Sequence, residues 1–156
     1  MEQLLLATDF LHKKRIVHRD IKLDNILINQ IDESSKELSV KIADFGLACF
    51  IPVGIDRLYE RCGTPCYVAP EILRGQGYGT KCDIFSLGSL MFNLLTGRFL
   101  FKGEDKQDLL NLNKNCNLEG IDDFLVGLSN TCKDLLKQLL QANPLRRPTA
   151  KESLTH

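Results

Sequence analysis

A mainly α-helical fold with one small β-hairpin is the class this sequence predicts, and three observations predict it. Apolar residues recur at helical spacing in several separate stretches, only two short runs favour strands, and one stretch is apolar on nearly every side. The 156 residues suit a single domain with room for a core.

Met1, Leu4, Leu5 and Leu11 share a helical face, and the basic run His12 to Arg15 suits a helix C-terminus, where cations meet the negative end of the dipole. No cap precedes Met1, so the domain is expected to begin further upstream. Asn25 to Ile28 and Val40 to Ala43 are strand-type runs joined by the polar stretch Asn29 to Ser39, which predicts a hairpin with a long exposed turn. From Asp44 to Leu73 periodicity gives way to Gly and Pro, so an irregular loop is expected, and its length implies a function. Asp83 to Thr96 reads as a central buried helix stopped by Gly97. Asp105 to Asn113 and Thr131 to Gln141 read as two more helices, the second with Leu135, Leu136, Leu139 and Leu140 on one face. Thr149 and Glu152 form a capping box for a last helix.

Acidic and basic residues balance at 20 each, unlike the basic footprint of a nucleic-acid binder or a polybasic membrane anchor. The most apolar run, Ile84 to Leu95, is too short for a bilayer and contains Ser86, Ser89 and Asn93, so no membrane segment is expected. Met1 to Phe10 carries Glu2 and Asp9 without a basic leader, unlike a signal peptide. The six cysteines are scattered, with only Cys62 and Cys66 close together. Reduced thiols and a cytoplasmic or nuclear location are therefore expected, rather than a disulfide framework or a sulfur-bound metal.

Three short motifs carry the chemistry. His18-Arg19-Asp20-Ile21-Lys22-Leu23-Asp24-Asn25 is followed by Asp44-Phe45-Gly46 and then by Ala69-Pro70-Glu71. In that order, with Cys62-Gly63-Thr64-Pro65 and the buried helix in place, the chain resembles the eukaryotic serine/threonine protein kinase family along essentially its whole length. The resemblance implies a C-terminal lobe, mainly α with a small β-hairpin at the cleft and the N-terminal lobe absent. It divides residues 1–156, as a partial kinase domain, into a catalytic loop at 18–25, an activation segment at 44–71 and a helical subdomain at 80–156. It also implies ATP and Mg2+ as cofactors, and protein substrates that present a serine or threonine hydroxyl.

Phosphoryl transfer is mostly positioning and charge neutralisation, so such a site needs a carboxylate to orient the hydroxyl and hard oxygen ligands for magnesium. By resemblance Asp20 accepts the hydroxyl proton, Asn25 and Asp44 are the magnesium ligands, and Lys22 steadies the transferring phosphoryl. Thr64 would bond Asp20 and Lys22, Asp83 would hold the loop backbone, and Glu71 would pair with Arg147. Leu27 is placed under the adenine, and His18 and Phe45 in a hydrophobic stack. Asp24, counted with the cofactor-binding residues, also matches a position that helps some kinases read a basic residue near the target. Lys22, two residues after Asp20, favours serine/threonine over tyrosine kinases.

No glycine-rich strand pair, Val-Ala-Ile-Lys type strand or paired glutamate helix occurs, so the missing N-terminal lobe is expected upstream and the chain is expected to be a fragment. A non-catalytic, pseudokinase-like interaction module is the alternative to a catalytic kinase. Between Asp44 and Gly63 there is no serine or threonine, and Tyr59 is the one hydroxyl. Glu60 stands where many related kinases carry a phosphorylated threonine facing the arginine matched by Arg19. Glu60 is therefore expected to order the activation segment through Arg19 without phosphorylation.

Overall fold

The computed structural model describes residues 1–30 and 38–156. The polar turn expected between Asn29 and Ser39 falls mostly on residues 31–37, outside the described residues.

Helix α1 spans Glu2–Lys13, buries Leu4, Leu5, Thr8 and Leu11, and carries His12 and Lys13 in its last turn, as the apolar spacing and the basic run predict. Arg15, at φ 58°, turns the chain into strand β1 (Ile16–Val17). A 3₁₀ turn at Leu23–Asn25 leads into β2 (Ile26–Gln30), which pairs antiparallel with β3 (Leu38–Ile42) so that Ile26 faces Ile42 and Ile28 faces Val40. Gln3 ties this hairpin to α1: its Nε2 donates to Leu38 O at 2.9 Å and its Oε1 accepts from Val40 N at 2.8 Å.

Residues 44–73 are not the wholly irregular loop expected. Strand β4 (Cys49–Phe50) pairs with β1, and the short helix α2 (Pro70–Leu73) opens on a proline, which fits a first helical turn because the missing N–H has no partner to lose there. The predicted class of a mainly α C-terminal lobe with one hairpin is thus corrected: among the described residues two separate two-stranded sheets accompany the helices. A two-residue strand is too short for alternation to register in a sequence. What creates it here is Arg15, whose carbonyl accepts Ile51 N at 2.8 Å while its guanidinium donates to Ile51 O at 2.7 Å and Pro52 O at 2.8 Å.

Helix α3 (Lys81–Thr96) is the axis of the core, with Ile84, Phe85, Leu87 and Leu90 fully buried. Each such side chain contributes roughly 1.5–3 kcal/mol relative to exposure, so this helix anchors everything attached to it. Helix α4 (Lys106–Asn115) starts at Asp105, whose side chain caps Asp108 N, and α5 (Asn130–Leu139) starts at Ser129, which caps Cys132 N. α5 approaches α3 at Gly88, where an added Cβ would lie 2.9 Å from both Leu139 Cβ and Leu140 Cδ2. The glycine therefore sets how closely the two helices pack. The capping box at α6 (Ala150–Ser153) forms as predicted, with Glu152 N donating to Thr149 Oγ1 at 3.1 Å and Thr149 N to Glu152 Oε2 at 2.6 Å. Among the described residues no helix is long and apolar enough to cross a membrane.

Candidate active site

Loop 18–25 is shaped by a carboxylate beneath it. Asp83, fully buried in the first turn of α3, accepts from His18 N through Oδ2 and from Arg19 N through Oδ1, each at 2.9 Å. His12 Nε2 lies 2.9 Å from the same Oδ2. Sequence reading missed this third contact, because His12 reads there only as a basic helix end. Gly63, at φ 110°, brings segment 44–71 onto the loop, and a Cβ there would lie 2.9 Å from Arg19 O. Both the backbone angle and the close approach call for glycine.

Asp20, Lys22, Asn25 and Thr64 form one hydrogen-bonded cluster. Thr64 Oγ1 donates to Asp20 Oδ1 at 2.6 Å, Lys22 Nζ meets Asp20 Oδ2 at 2.8 Å, and Lys22 Nζ also donates to Thr64 Oγ1 at 2.9 Å. Asn25 Nδ2 donates to Asp20 O at 2.9 Å and to Oδ2 at 3.2 Å. Burial alone would raise the Asp20 carboxyl, but the bonds from Lys22, Thr64 and Asn25 outweigh it and hold it below the ordinary carboxylate value. At neutral pH it is an anion with modest basicity, suited to accept a hydroxyl hydrogen bond and fix its direction.

Asp44 adjoins the cluster through its neighbour: Ala43 N donates to Asn25 O at 2.8 Å. Its φ is 58°, its side chain is exposed, and its Oδ1 accepts from Gly46 N at 3.1 Å. The two Nδ2 bonds orient the Asn25 amide, and neither Asn25 Oδ1 nor Asp44 Oδ2 takes a hydrogen bond among the described residues. Buried Asn25 and exposed Asp44 thus each keep one hard oxygen without a hydrogen bond, the donor type that fits magnesium, which takes one or two protein ligands and completes its shell with phosphate and water. His18 is fully buried, accepts from Asp20 N through Nδ1 at 3.3 Å, and thus donates through Nε2 to Ala43 O at 3.1 Å. Its ring meets Phe45 edge-on at 4.9 Å. Leu27 on β2 is 55% exposed and Asp24 is exposed on the 3₁₀ turn, and neither joins the cluster.

Segment 44–71 is tied down at two further points. Arg19 Nη1 donates to Glu60 Oε2 at 2.7 Å and to Tyr78 OH at 3.2 Å, and Tyr78 OH donates to Glu60 O at 2.6 Å. Burial opposes the Arg19 charge, but the bonds to Tyr78 and Glu60 prevail and its proton is held more tightly than usual. Glu71 and Arg147 pair through two 2.6 Å bonds. Sequence reading missed Tyr78, which reaches this point through an isolated bridge with Leu58. It also missed Ser86 and Ser89, which donate to Tyr67 O at 2.9 Å and Cys66 O at 2.6 Å. Their signal was present: two hydroxyls three positions apart in the most apolar stretch of the chain.

Comparison with known proteins places this geometry in context. The family model for the protein kinase domain matches residues 1–156. The chain is 38% identical over 156 residues to the probable serine/threonine-protein kinase 2 of Plasmodium falciparum, covering 100% of this chain and 30% of that protein. It is 42% identical over 154 residues to the serine/threonine-protein kinase Nek6 of rice, covering 99% of this chain and 27% of that protein. Serine/threonine-protein kinase 33 of cattle is 38% identical over 158 residues, covering 99% of this chain and 32% of that protein. The chain thus spans about a third or less of the length of these curated relatives. The domain match from first residue to last also overturns the expectation of a C-terminal lobe with the N-terminal lobe absent. That expectation rested on the motifs at 18–25, 44–46 and 69–71 together with motifs the chain lacks, and a missing motif does not bound a domain.

Proposed function

The chain belongs to the protein kinase family and is by family a serine/threonine protein kinase, and we propose that it moves the γ-phosphoryl group of ATP onto a serine or threonine hydroxyl of a protein. In this reading it works within a longer polypeptide that supplies the remaining contacts to the triphosphate. The observation that carries the proposal is the Asp20 cluster, an ionised carboxylate locked between Lys22, Thr64 and Asn25 beside two hard oxygen donors.

Asp20 accepts the hydrogen bond of the incoming hydroxyl and takes its proton as that oxygen bonds to the γ-phosphorus and the bond from phosphorus to the β–γ bridging oxygen breaks, releasing ADP. Lys22 sets a positive charge beside that oxygen, and Thr64 holds Lys22 and Asp20 in one arrangement. Asn25 and Asp44 would hold Mg2+, which when bound would supply charge neutralisation to the phosphate oxygens. Leu27 and Asp24 face the nucleotide side, and Asp83 keeps the catalytic loop at 18–25 in shape. The activation segment at 44–71 is ordered by Glu60 on Arg19 without phosphorylation. The free cysteines among the described residues support a reducing, cytoplasmic setting.

The test is Asp20→Asn in the longest natural polypeptide, assayed with Mg-ATP and a serine-containing peptide. Phosphoryl transfer is expected to fall by a factor of about 10² to 10⁴ while the circular dichroism spectrum is retained. Near-normal turnover in the variant would remove Asp20 from this role, whereas no transfer by the parent protein would leave a non-catalytic interaction module as the better reading.

A further inference from the structure

At the far end of α3 from the Asp83 clamp lies a cavity of about 370 Å³ that the catalytic reading does not use. That volume falls within the range of sites that hold a small ligand or a few side chains, roughly 300–1,000 Å³. Its walls include Phe92, Phe99, Leu118 and Phe124, and its rim carries Arg98, Lys102 and Glu119. Phe99 and Phe124 are 59% and 47% exposed, so large apolar surface faces solvent inside a concave site. The site is built: Phe92 and Phe124 meet edge-on at 6.1 Å, and the Arg98 guanidinium lies 5.1 Å over the Phe124 ring.

The charge at the rim is positive on balance, two cations against one carboxylate. Among the described residues neither Arg98 nor Lys102 is in an ion pair, although both lie beside the apolar wall. The pocket is also joined to the segment that bears Thr64. The ring of Phe99 meets that of Tyr67 at 6.2 Å and 90°, and Asn93 bridges the two sides by accepting from Tyr67 OH at 3.3 Å and donating to Arg98 O at 3.0 Å. Tyr67 N in turn donates to Thr64 O at 3.1 Å. The pocket is thus packed, through buried Tyr67, against the segment that sets Thr64 beside Asp20.

We propose that this pocket is a docking site for protein substrates, taking an aromatic or branched apolar side chain flanked by acidic residues, at a distance from the phosphorylated hydroxyl. The inference rests on the kinase reading for the word substrate, but the binding itself does not. Apolar walls hold the anchor side chain, and Arg98 and Lys102 meet the flanking carboxylates, which sets both affinity and sign preference.

The test uses a fluorescein-labelled Glu-Glu-Phe-Leu-Glu-Glu peptide, read by fluorescence anisotropy against the purified protein. Binding is expected to weaken at least tenfold when the two central residues are serine, when the flanks are lysine, and in the variant Arg98→Glu with Lys102→Glu. Both substituted side chains are exposed, and an unchanged thermal melt checks that the variant is folded. Added salt should weaken the interaction, since the pairs are at the surface. Equal binding of the acidic and basic peptides, or undiminished binding by the folded double variant, would overturn the proposal. In the same preparation, turnover of a short peptide lacking the docking residues should be unchanged by the double variant and lost in Asp20→Asn. Peptide binding that the parent shows and the double variant loses, in a protein with no transferase activity, would keep the pocket and remove the phosphoryl-transfer reading.

Discussion

Two arginine–glutamate pairs fasten segment 44–71, and they differ in almost everything but their chemistry. Arg147 and Glu71 are 0% and 1% exposed at their side chains, meet through two parallel 2.6 Å bonds, and sit with the guanidinium 5.0 Å over the Phe85 ring. Arg147 also donates to Gln141 O at 2.6 Å and Lys81 O at 3.0 Å. Arg19 is nearly as buried, but Glu60 is 72% exposed and offers one 2.7 Å bond. Removing two charges from water is unfavourable unless every donor and lone pair finds a partner, whereas an exposed pair loses little solvation and contributes little. The first pair is thus a fixed part of the framework, and the second can open and close without unfolding the chain.

The largest effect is expected where the buried pair is cut. Glu71→Ala leaves the Arg147 guanidinium without its anion and should destabilise the protein by about 3–5 kcal/mol, measured by thermal or urea unfolding. A loss below about 1 kcal/mol would erase the contrast drawn above. Replacing both partners, as Glu71→Leu with Arg147→Met, should recover only part of the loss, because the carbonyls of Gln141 and Lys81 then lose their donor.

A third site sharpens the comparison by breaking its rule. Asn113, fully buried near the end of α4, has no partner for either amide atom among the described residues. Replacing an unsatisfied buried amide with an apolar group of similar size should stabilise, so Asn113→Leu is expected to add about 1–3 kcal/mol in the same unfolding assay. A lower melting temperature would show that the amide is paired in solution, by a buried water for instance.

The difference between these sites also explains what could be read from the sequence. Asp20, Lys22, Asn25 and Thr64 come together as their motifs imply, because loop chemistry of that kind needs fixed residue types at fixed spacing. Asp83 under the loop and Glu71 with Arg147, 64 to 76 positions apart, were legible only through the resemblance to the kinase family. His12 on Asp83 and Tyr78 on Glu60 were not, since an ordinary residue becomes a network member only through contacts 71 and 18 positions away along the chain. Helices α1, α3, α4 and α5 were legible in their apolar periods, with ends within three residues of the observed ones, whereas α2 lies inside the stretch expected to be irregular. The β1–β4 pair was not, because it is made by Arg15 bonding to residues 51 and 52 rather than by any strand pattern. The pocket beside Phe99 and Phe124 was invisible because its lining comes from two separate stretches, residues 92–102 and 117–124.

Asp20 gives a pH test of the cluster that joins the two ends. Its carboxyl is held below 3.8, its ordinary value, so the cluster contributes stability above that value and loses it as the pH falls through the lower, folded one. Asp20→Asn should therefore be less stable than the parent at neutral pH, with the gap closing as the solution is acidified below about 3.8. A gap that stays constant down to acid pH would mean that the Lys22 and Thr64 bonds do not favour the anion.

The smallest change in stability, and the most informative, belongs to the exposed pair. Glu60 is mostly in solvent, so Glu60→Ala should shift the unfolding free energy by less than about 1 kcal/mol. Its effect on activity should be larger than that figure suggests, because Arg19 is the residue next to Asp20 and Glu60 lies three positions before Gly63, which closes the segment onto the Arg19 carbonyl. Glu60→Gln tests charge against shape, since it keeps a hydrogen-bond acceptor and removes the anion, and Glu60→Asp keeps the anion on a shorter arm. In the unphosphorylated enzyme both Ala and Gln are expected to lower turnover, Asp to restore part of it, and high salt to narrow the difference between parent and Ala variant. The bond from Tyr78 OH to the Glu60 carbonyl survives all three substitutions, so a loss confined to Ala and Gln reads the side-chain pair and not the backbone anchor. Equal turnover in all four forms would show that the segment is held by Tyr78 and Gly63 alone, and that the Arg19–Glu60 pair is surface decoration.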